Sequence, residues 1–311
     1  MEKILSFLSM LRTIIYLLSF LFSCVGVLLG VAFFTLVERK IMGLAHYRKG
    51  PNKVMISGLS QPISDAAKLL TKEFPKLSPL KLYMFMMGPS VAITLMLLCW
   101  SWHEYISSVL SNNLKIFTVF AIMGLTAFPF LLMSWGSNTK YALIGGYRAV
   151  AQIISYEVCL LLFALSVFYI PKSFSLTFIN LLQNNLWFSV ACAPTFLFWM
   201  MLCMAESNRT PFDLAEGESE LVSGFNVEYG GGLFAFIFIS EYGMIMFLSL
   251  VTSLLFLGGG VFTLVKMFLV CLMFIWVRCC FPRVRYDKLM MTSWKLALPY
   301  SISMLALNMW F

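Results

Sequence analysis

Hydrophobic and polar positions in this chain segregate into long blocks. Apolar runs cover roughly 4–37, 80–102, 115–134, 142–169, 187–205, 233–256, 259–278 and 291–310. A helix that crosses the hydrocarbon of a bilayer needs about 20 mostly apolar residues. A spanning segment must also satisfy its own backbone, which leaves helices or closed barrels. These runs are too long and too continuously apolar for barrel strands. The pattern therefore predicts an all-α polytopic membrane protein with about eight transmembrane helices and both termini on one side. No separate soluble domain fits in the remaining length, so one membrane domain over 1–311 is expected.

The first run is the longest. At 1.5 Å per residue it would measure about 50 Å against about 30 Å of hydrocarbon. That mismatch predicts a strongly tilted first helix; a shorter helix ending near Gly26 or Gly30 is the alternative. No small-residue cleavage site follows a short apolar core, so a removable signal peptide is not expected.

Composition sharpens the class. Hydrophobic residues make up 60% of 311 and charged residues 12%, with a net charge of +8. One predicted side carries Arg39, Lys40, Arg48, Lys49, Lys53, Lys68, Lys72, Lys76, Lys140, Arg148, Arg209, Arg278, Arg283, Arg285 and Lys288, the other little more than Lys3, Lys115 and Lys172. Lys and Arg accumulate on the side that is not translocated. The basic side is thus the cytoplasm or the mitochondrial matrix, and the net charge reports topology, not nucleic-acid binding.

Several chemistries find no support in the sequence. The eight cysteines are scattered without a C-x-x-C pair, which argues against an iron–sulfur or zinc site. His46 and His103 fall on opposite predicted sides and cannot together ligate a haem. There is no dinucleotide glycine fingerprint and no P-loop; Gly230–Gly232 and Gly258–Gly260 read as turns at helix ends. No internal repeat marks an inverted-repeat transporter.

The candidate chemistry lies in the charged loops. The first, from Glu38 to about Pro79, opens VERKIMGLAHYRKGPNKV, with Gly50-Pro51-Asn52 as a turn. QPISDAAKLLTKEF follows. Pro62 suits a first helical turn. Ile63, Ala66, Ala67, Leu70 and Phe74 share one face, while Asp65, Lys68 and Lys72 fall on another. Too short to span, this segment reads as an amphipathic helix lying in the membrane interface, or as a surface helix packed on the bundle.

The second loop, SNTKYALIGGYRAVAQIISYEV, leads Arg148, Gln152 and Glu157 into the fourth span. A carboxylate inside a span is costly unless it faces a partner or water. Glu157 therefore reads either as a proton-exchanging group or as half of a structural ion pair.

The third loop, AESNRTPFDLAEGESELVSGFNVEYGG, sets Glu206, Asp213, Glu216, Glu218, Glu220 and Glu228 against Arg209 alone. Its interleaved Phe212, Leu214, Leu221, Val222, Phe225 and Val227 distinguish it from a solvated acidic tail. Crowded carboxylates titrate as a coupled set, so a proton-exchange cluster and a docking surface for a basic partner are both open. Inside the later spans, Glu241 and Lys266 read as a buried pair, or Lys266 snorkels to the interface, as Arg12 does in the first helix.

The strings VERK, YRKGPNKV, YALIGGYRAVAQIISYEV and AESNRTPFDLAEGESELVSGFNVEYGG resemble the chain 1 family of NADH–ubiquinone oxidoreductase, respiratory complex I, over the whole length. The length, the short loops and 21 Met resemble a mitochondrially encoded member. The resemblance implies a core membrane subunit of the mitochondrial inner membrane, with charged loops on the matrix side and both termini on the intermembrane-space side. It implies a ubiquinone-access chamber and a carboxylate funnel that couples electron transfer to proton translocation. Carried over, Glu38, Arg39, Arg48 and Asp65 line or support the quinone passage, and the helix near 61–74 flanks its lipid entrance. Glu157, Glu206, Asp213, Glu216, Glu218, Glu220 and Glu228 form the funnel, and Arg148 and Arg209 hold loop carboxylates.

The implied substrate is ubiquinone. NADH, FMN and iron–sulfur clusters belong to partner subunits, and no cofactor or metal belongs to this chain. The implied partners are the hydrophilic quinone-module subunits, neighbouring membrane-arm subunits and membrane lipids, with no nucleic acid. Two other classes compete: a stand-alone ion or solute transporter, and a membrane anchor in a hydrogenase-type complex without quinone.

Overall fold

The computed structural model describes residues 2–73, 80–107, 115–184, 186–215, 217, 223–260 and 262–310, with the backbone alone for 2–13, 16, 17, 102–107, 115 and 177. Glu216, Glu218, Glu220, Leu221, Val222, Phe74 and Lys76, and the side chains of Lys3, Arg12, His103 and Lys115, lie outside the described residues.

Among the described residues the chain is helical and contains no strand. Six helical segments are long and apolar enough to cross a membrane: Leu18–Ala45, Leu82–Ser101, Ile116–Ser137, Lys140–Tyr169, Gly231–Phe256 and Thr263–Cys280. The first belongs to helix α1 (Glu2–Ala45), which runs unbroken through Gly26 and Gly30, so the shorter first helix is excluded. Its 44 residues extend it to roughly 66 Å. Many of its apolar side chains face outward, Phe22 being 82% exposed, as lipid- or partner-facing positions should be.

Three predicted spans are broken, and each break stands beside a proline. A proline offers no N–H to the carbonyl four residues back, and its ring crowds that carbonyl. In the third span, α4 (Lys115–Gly124) gives way to α5 (Ala127–Ser137) four residues before Pro129, where Leu125, Thr126 and Phe128 bond three residues back. In the region 187–205, α8 (Phe188–Ala191) is separated from α9 (Ala193–Glu206) at Cys192, and Pro194 opens α9. In the region 291–310, α12 (Tyr286–Met291) passes through a π-helical stretch, Thr292–Ala297, before α13 (Leu298–Trp310), which carries Pro299. The wider π turn is how a helix continues when one i→i−4 bond is lost.

The remaining elements are α2 (Gln61–Thr71), α3 (Leu82–Ser107), α6 (Lys140–Tyr169), α7 (Leu176–Leu182), α10 (Gly231–Phe256) and α11 (Thr263–Cys280). Helix α3 packs on α5 and α10; α6 packs on α5, α9 and α13; α1 packs on α3, α10 and α11. The main core runs through this group, with Tyr156, Phe163, Trp199 and Phe256 among its fully buried side chains.

A second, smaller core of Phe85, Met133, Ala149, Ala215, Phe225, Tyr229 and Ile237 lies beneath the third loop. Its close approach to α6 explains Gly145 of that helix, where a Cβ would stand 2.9 Å from Gly224 Cα and 3.1 Å from Ala215 O; the adjacent Gly146 instead makes room for Ser134 of α5. Tyr229 closes the loop by stacking on Phe85 at 4.1 Å and donating its hydroxyl to Phe85 O at 3.1 Å. Burial pushes its phenol above the ordinary tyrosine range.

Candidate functional site

The last turns of α1 carry the first-loop charges. Glu38 is buried, and its two carboxylate oxygens accept from Arg278 Nη1 on α11 and from the Tyr242 hydroxyl on α10. Arg39, one residue on, points away from this pair to Asp65 of α2 at 2.7 Å, and Gln61 Nε2 donates to the other Asp65 oxygen at 2.9 Å. Helix α2 is thereby anchored to α1 through its polar side. Its apolar side stays open, with Ile63 and Leu70 67% and 68% exposed. Arg48 sits in the exposed turn after α1.

From Tyr242 the polar contacts continue inward. The Arg209 guanidinium lies over the Tyr242 ring and donates Nη2 to Glu241 at 3.2 Å. Both members of this ion pair are largely withdrawn from solvent, at 14% and 9% exposure. Low exposure strengthens a paired charge and penalises an unpaired one. The sequence expectation of a Glu241–Lys266 pair is therefore corrected. Lys266 Nζ instead donates to Leu257 O and Gly258 O at 2.8 and 2.9 Å, at the carboxyl end of α10, and stands 5.4 Å from the Trp187 ring. A cation there satisfies the orphan carbonyls and the negative end of the helix dipole.

Glu241 and Glu206 meet at a cavity of about 50 Å³. Helices α3, α5, α6, α9 and α10 wall it, with Leu95, Pro129, Phe130, Met133 and Ile153 as apolar lining and Thr126, Ser207, Asn208 and Ser240 as neutral polar lining. The residues beyond the α9 end leave Glu206 Oε2 and Asn208 Oδ1 buried without a partner among the described residues. The volume exceeds the roughly 10–15 Å³ that one water needs, so the space can hold a short water chain between carboxylates. Such a chain is what proton exchange in an apolar surrounding requires.

Glu157, partly buried on α6, is near enough to Glu206 for their charges to interact. It lies against the α4–α5 break: a Cβ on Gly124 would collide with Glu157 Oε1. Asp213 pairs with Arg283 at 3.0 Å. Glu228 and Arg148 are each half-buried. The structure thus gathers Glu38, Glu241, Glu206 and Glu157 along one interior line. Arg39 and Asp65 stand at its outer end, Asp213 beside it, and Arg48 away from it. Among the described residues, no three His, Cys, Asp or Glu side chains converge as metal ligands.

Sequence reasoning missed Tyr242, Arg278 and Arg283 as site residues. The two arginines had entered only as topology markers, and Tyr242 carries no signal beyond following Glu241. Pro129 was the available sign that backbone beside the cavity departs from regular helix.

A family model described as NADH dehydrogenase matches residues 18–309. The NADH-ubiquinone oxidoreductase chain 1 of Aedes aegypti is 47% identical over 298 residues, covering 93% of this chain and 95% of the relative. The proteins of the same name from Paracentrotus lividus and Trichosurus vulpecula are each 45% identical, over 306 and 308 residues, covering 95% of this chain and 94% and 95% of the relatives. With a match that runs almost end to end, the chain belongs to the NADH dehydrogenase family.

Proposed function

We propose that this chain, as one membrane domain over 1–311, is the quinone-site membrane subunit of an NADH–ubiquinone oxidoreductase in the mitochondrial inner membrane. Its charged loops face the matrix and both termini face the intermembrane space. Electrons reach ubiquinone from NADH through FMN and iron–sulfur clusters held by hydrophilic partner subunits. This chain supplies the lipid-side passage for the quinone and the carboxylates that answer its reduction. Glu38, Arg39, Arg48 and Asp65 support the passage. Glu157, Glu206, Asp213 and Glu228, with Glu216, Glu218 and Glu220 of the same loop, form the coupling funnel, organised by Arg148 and Arg209.

One observation carries the reading. An unbroken set of polar contacts runs from Arg278 and Glu38 through Tyr242 and Arg209 to Glu241, which borders the same cavity as Glu206. Reduction of a quinone takes up two electrons and two protons, so charge beside Glu38 changes with each turnover. Charges in a poorly screened interior feel such a change over several ångströms. An Arg209 held by both Tyr242 and Glu241 is the two-sided element through which the change biases protonation in the cavity. The exposed apolar side of α2 is the surface an isoprenoid tail or lipid would wet on entry.

Photo-crosslinking of the native membrane complex with an azido-quinone, followed by peptide mapping, tests the passage. Labels in 38–73 that a quinone-site inhibitor displaces support it. Displaceable labels confined to other subunits reduce this chain to a coupling or anchoring role.

A further inference from the structure

Gln152 is a buried polar side chain that the site described above leaves unused. It lies on α6 five residues before Glu157 and is inaccessible to solvent. Its Nε2 donates to Ala205 O at 2.8 Å and to Phe212 O at 3.0 Å. Ala205 immediately precedes Glu206, and Phe212 immediately precedes Asp213. One amide nitrogen therefore grips both ends of the turn that carries Glu206, Asn208 and Arg209.

The chemistry of the contact is specific. Both acceptors are carbonyl oxygens, so only the –NH2 end of the amide can serve them, and its orientation follows without ambiguity. Oε1 is then left buried with no partner among the described residues. A side chain placed there for packing alone would be apolar, because an unsatisfied buried acceptor is unfavourable. Among uncharged side chains, only Asn and Gln carry two N–H donors on one nitrogen, and Gln reaches one methylene further. The turn is closed internally by Asn208 N–H to Ala205 O and Phe212 N–H to Arg209 O, and tied outward by Val284 N–H to Pro211 O. Gln152 supplies a tie to α6, the helix that bears Glu157.

From this geometry we propose that Gln152 is a positioning residue for the coupling carboxylates. It locks the Glu206–Phe212 turn to α6, so that Glu206 keeps its place beside Glu157 and Arg209 keeps its place over Tyr242. The inference rests on the coupling function proposed above.

The test uses the assembled membrane complex carrying Gln152→Leu, Gln152→Glu or, as a reference, Glu206→Gln. Rates are normalised to NADH oxidation by an artificial acceptor, which counts assembled enzyme. Gln152→Leu is expected to lower kcat for quinone reduction about tenfold with KM for quinone unchanged, the scale of losing a buried hydrogen-bond pair at a site that turns over. Gln152→Glu keeps size and, once its carboxyl is ionised, replaces two donors by acceptors, so at alkaline pH it is expected to be worse than Leu. If Leu fails to assemble, Gln152→His, which keeps one donor, is expected to fall between wild type and Glu.

Full kcat in Gln152→Leu, or Glu milder than Leu or His at alkaline pH where its carboxyl is ionised, overturns the proposal. Loss in Glu206→Gln together with full activity in Gln152→Leu refutes only the role of Gln152. Full activity in both refutes the coupling function as well.

Discussion

The guanidinium carbon of Arg209 lies 4.3 Å from the centroid of the Tyr242 ring. That single contact joins two ion pairs from different parts of the chain, because Tyr242 donates to Glu38 and Arg209 donates to Glu241. A cation over an aromatic face is worth about 2 kcal/mol or more when desolvated, and the ring beneath it is held by a charge-assisted hydrogen bond. Tyr242→Phe keeps the ring and removes the donor to Glu38. Quinone reduction should fall about three- to tenfold, the equivalent of about 1 kcal/mol for one hydrogen bond. Tyr242→Ala should fall further, because it also removes the face beneath Arg209. Steady-state quinone reductase rates of the two variants, normalised to assembled complex, check the order.

Glu38 is the buried member of its pair with Arg278, at 7% against 29% side-chain exposure. Removing Arg278 leaves an uncompensated interior carboxylate, a change of about 3–5 kcal/mol in measured cases. Arg278→Met should therefore sharply reduce the amount of assembled complex. Adding Glu38→Gln to it should restore part of that amount, since the stranded charge is then gone. Native gel quantification of the single and double variants measures the coupling.

The pair between Arg39 and Asp65 is different in kind. With 49% and 35% side-chain exposure it is partly screened by water, and such pairs contribute about 1 kcal/mol or less. Asp65→Asn should leave assembly unchanged. It loosens the tie between α1 and α2, so its effect should appear in KM for a long-tailed quinone and grow smaller for a short-tailed one. A twofold or larger rise in KM confined to the long-tailed substrate checks this.

Glu241 and Lys266 serve separate structures, one joined to Arg209 and the other capping the end of α10. A double-mutant cycle of Glu241→Gln and Lys266→Met should be additive within about 0.5 kcal/mol. A larger interaction energy, read from thermal denaturation of the purified complex, would mean that the two residues form a pair after all.

Much of the fold was legible because the bilayer constrains sequence so strongly. The apolar runs fall on the helices, and the amphipathic stretch after Pro62 is α2. The places where sequence reading stopped share a cause. Pro129, Pro194 and Pro299 interrupt runs that stay apolar, and hydropathy does not register a lost hydrogen bond.

Within the site, the acidic third loop was conspicuous, yet the choice of partner was not. Glu241 reaches Arg209 across 32 residues of chain and not Lys266 on the next helix. Glu38 reaches Arg278 across 240 residues of chain. Such pairings are set by which helices pack together, and the periodicity of a single run holds no record of that.

The central claim is that Glu206 and its neighbours transmit quinone reduction to proton movement. It is tested most directly by the number of protons translocated per NADH oxidised in sealed vesicles carrying Glu206→Gln. Oxidation of NADH by an artificial acceptor serves as the measure of intact enzyme. The account predicts that quinone reduction falls at least tenfold or proceeds with fewer protons per NADH, while the artificial-acceptor rate is retained. Wild-type quinone reduction with the full proton stoichiometry would contradict it.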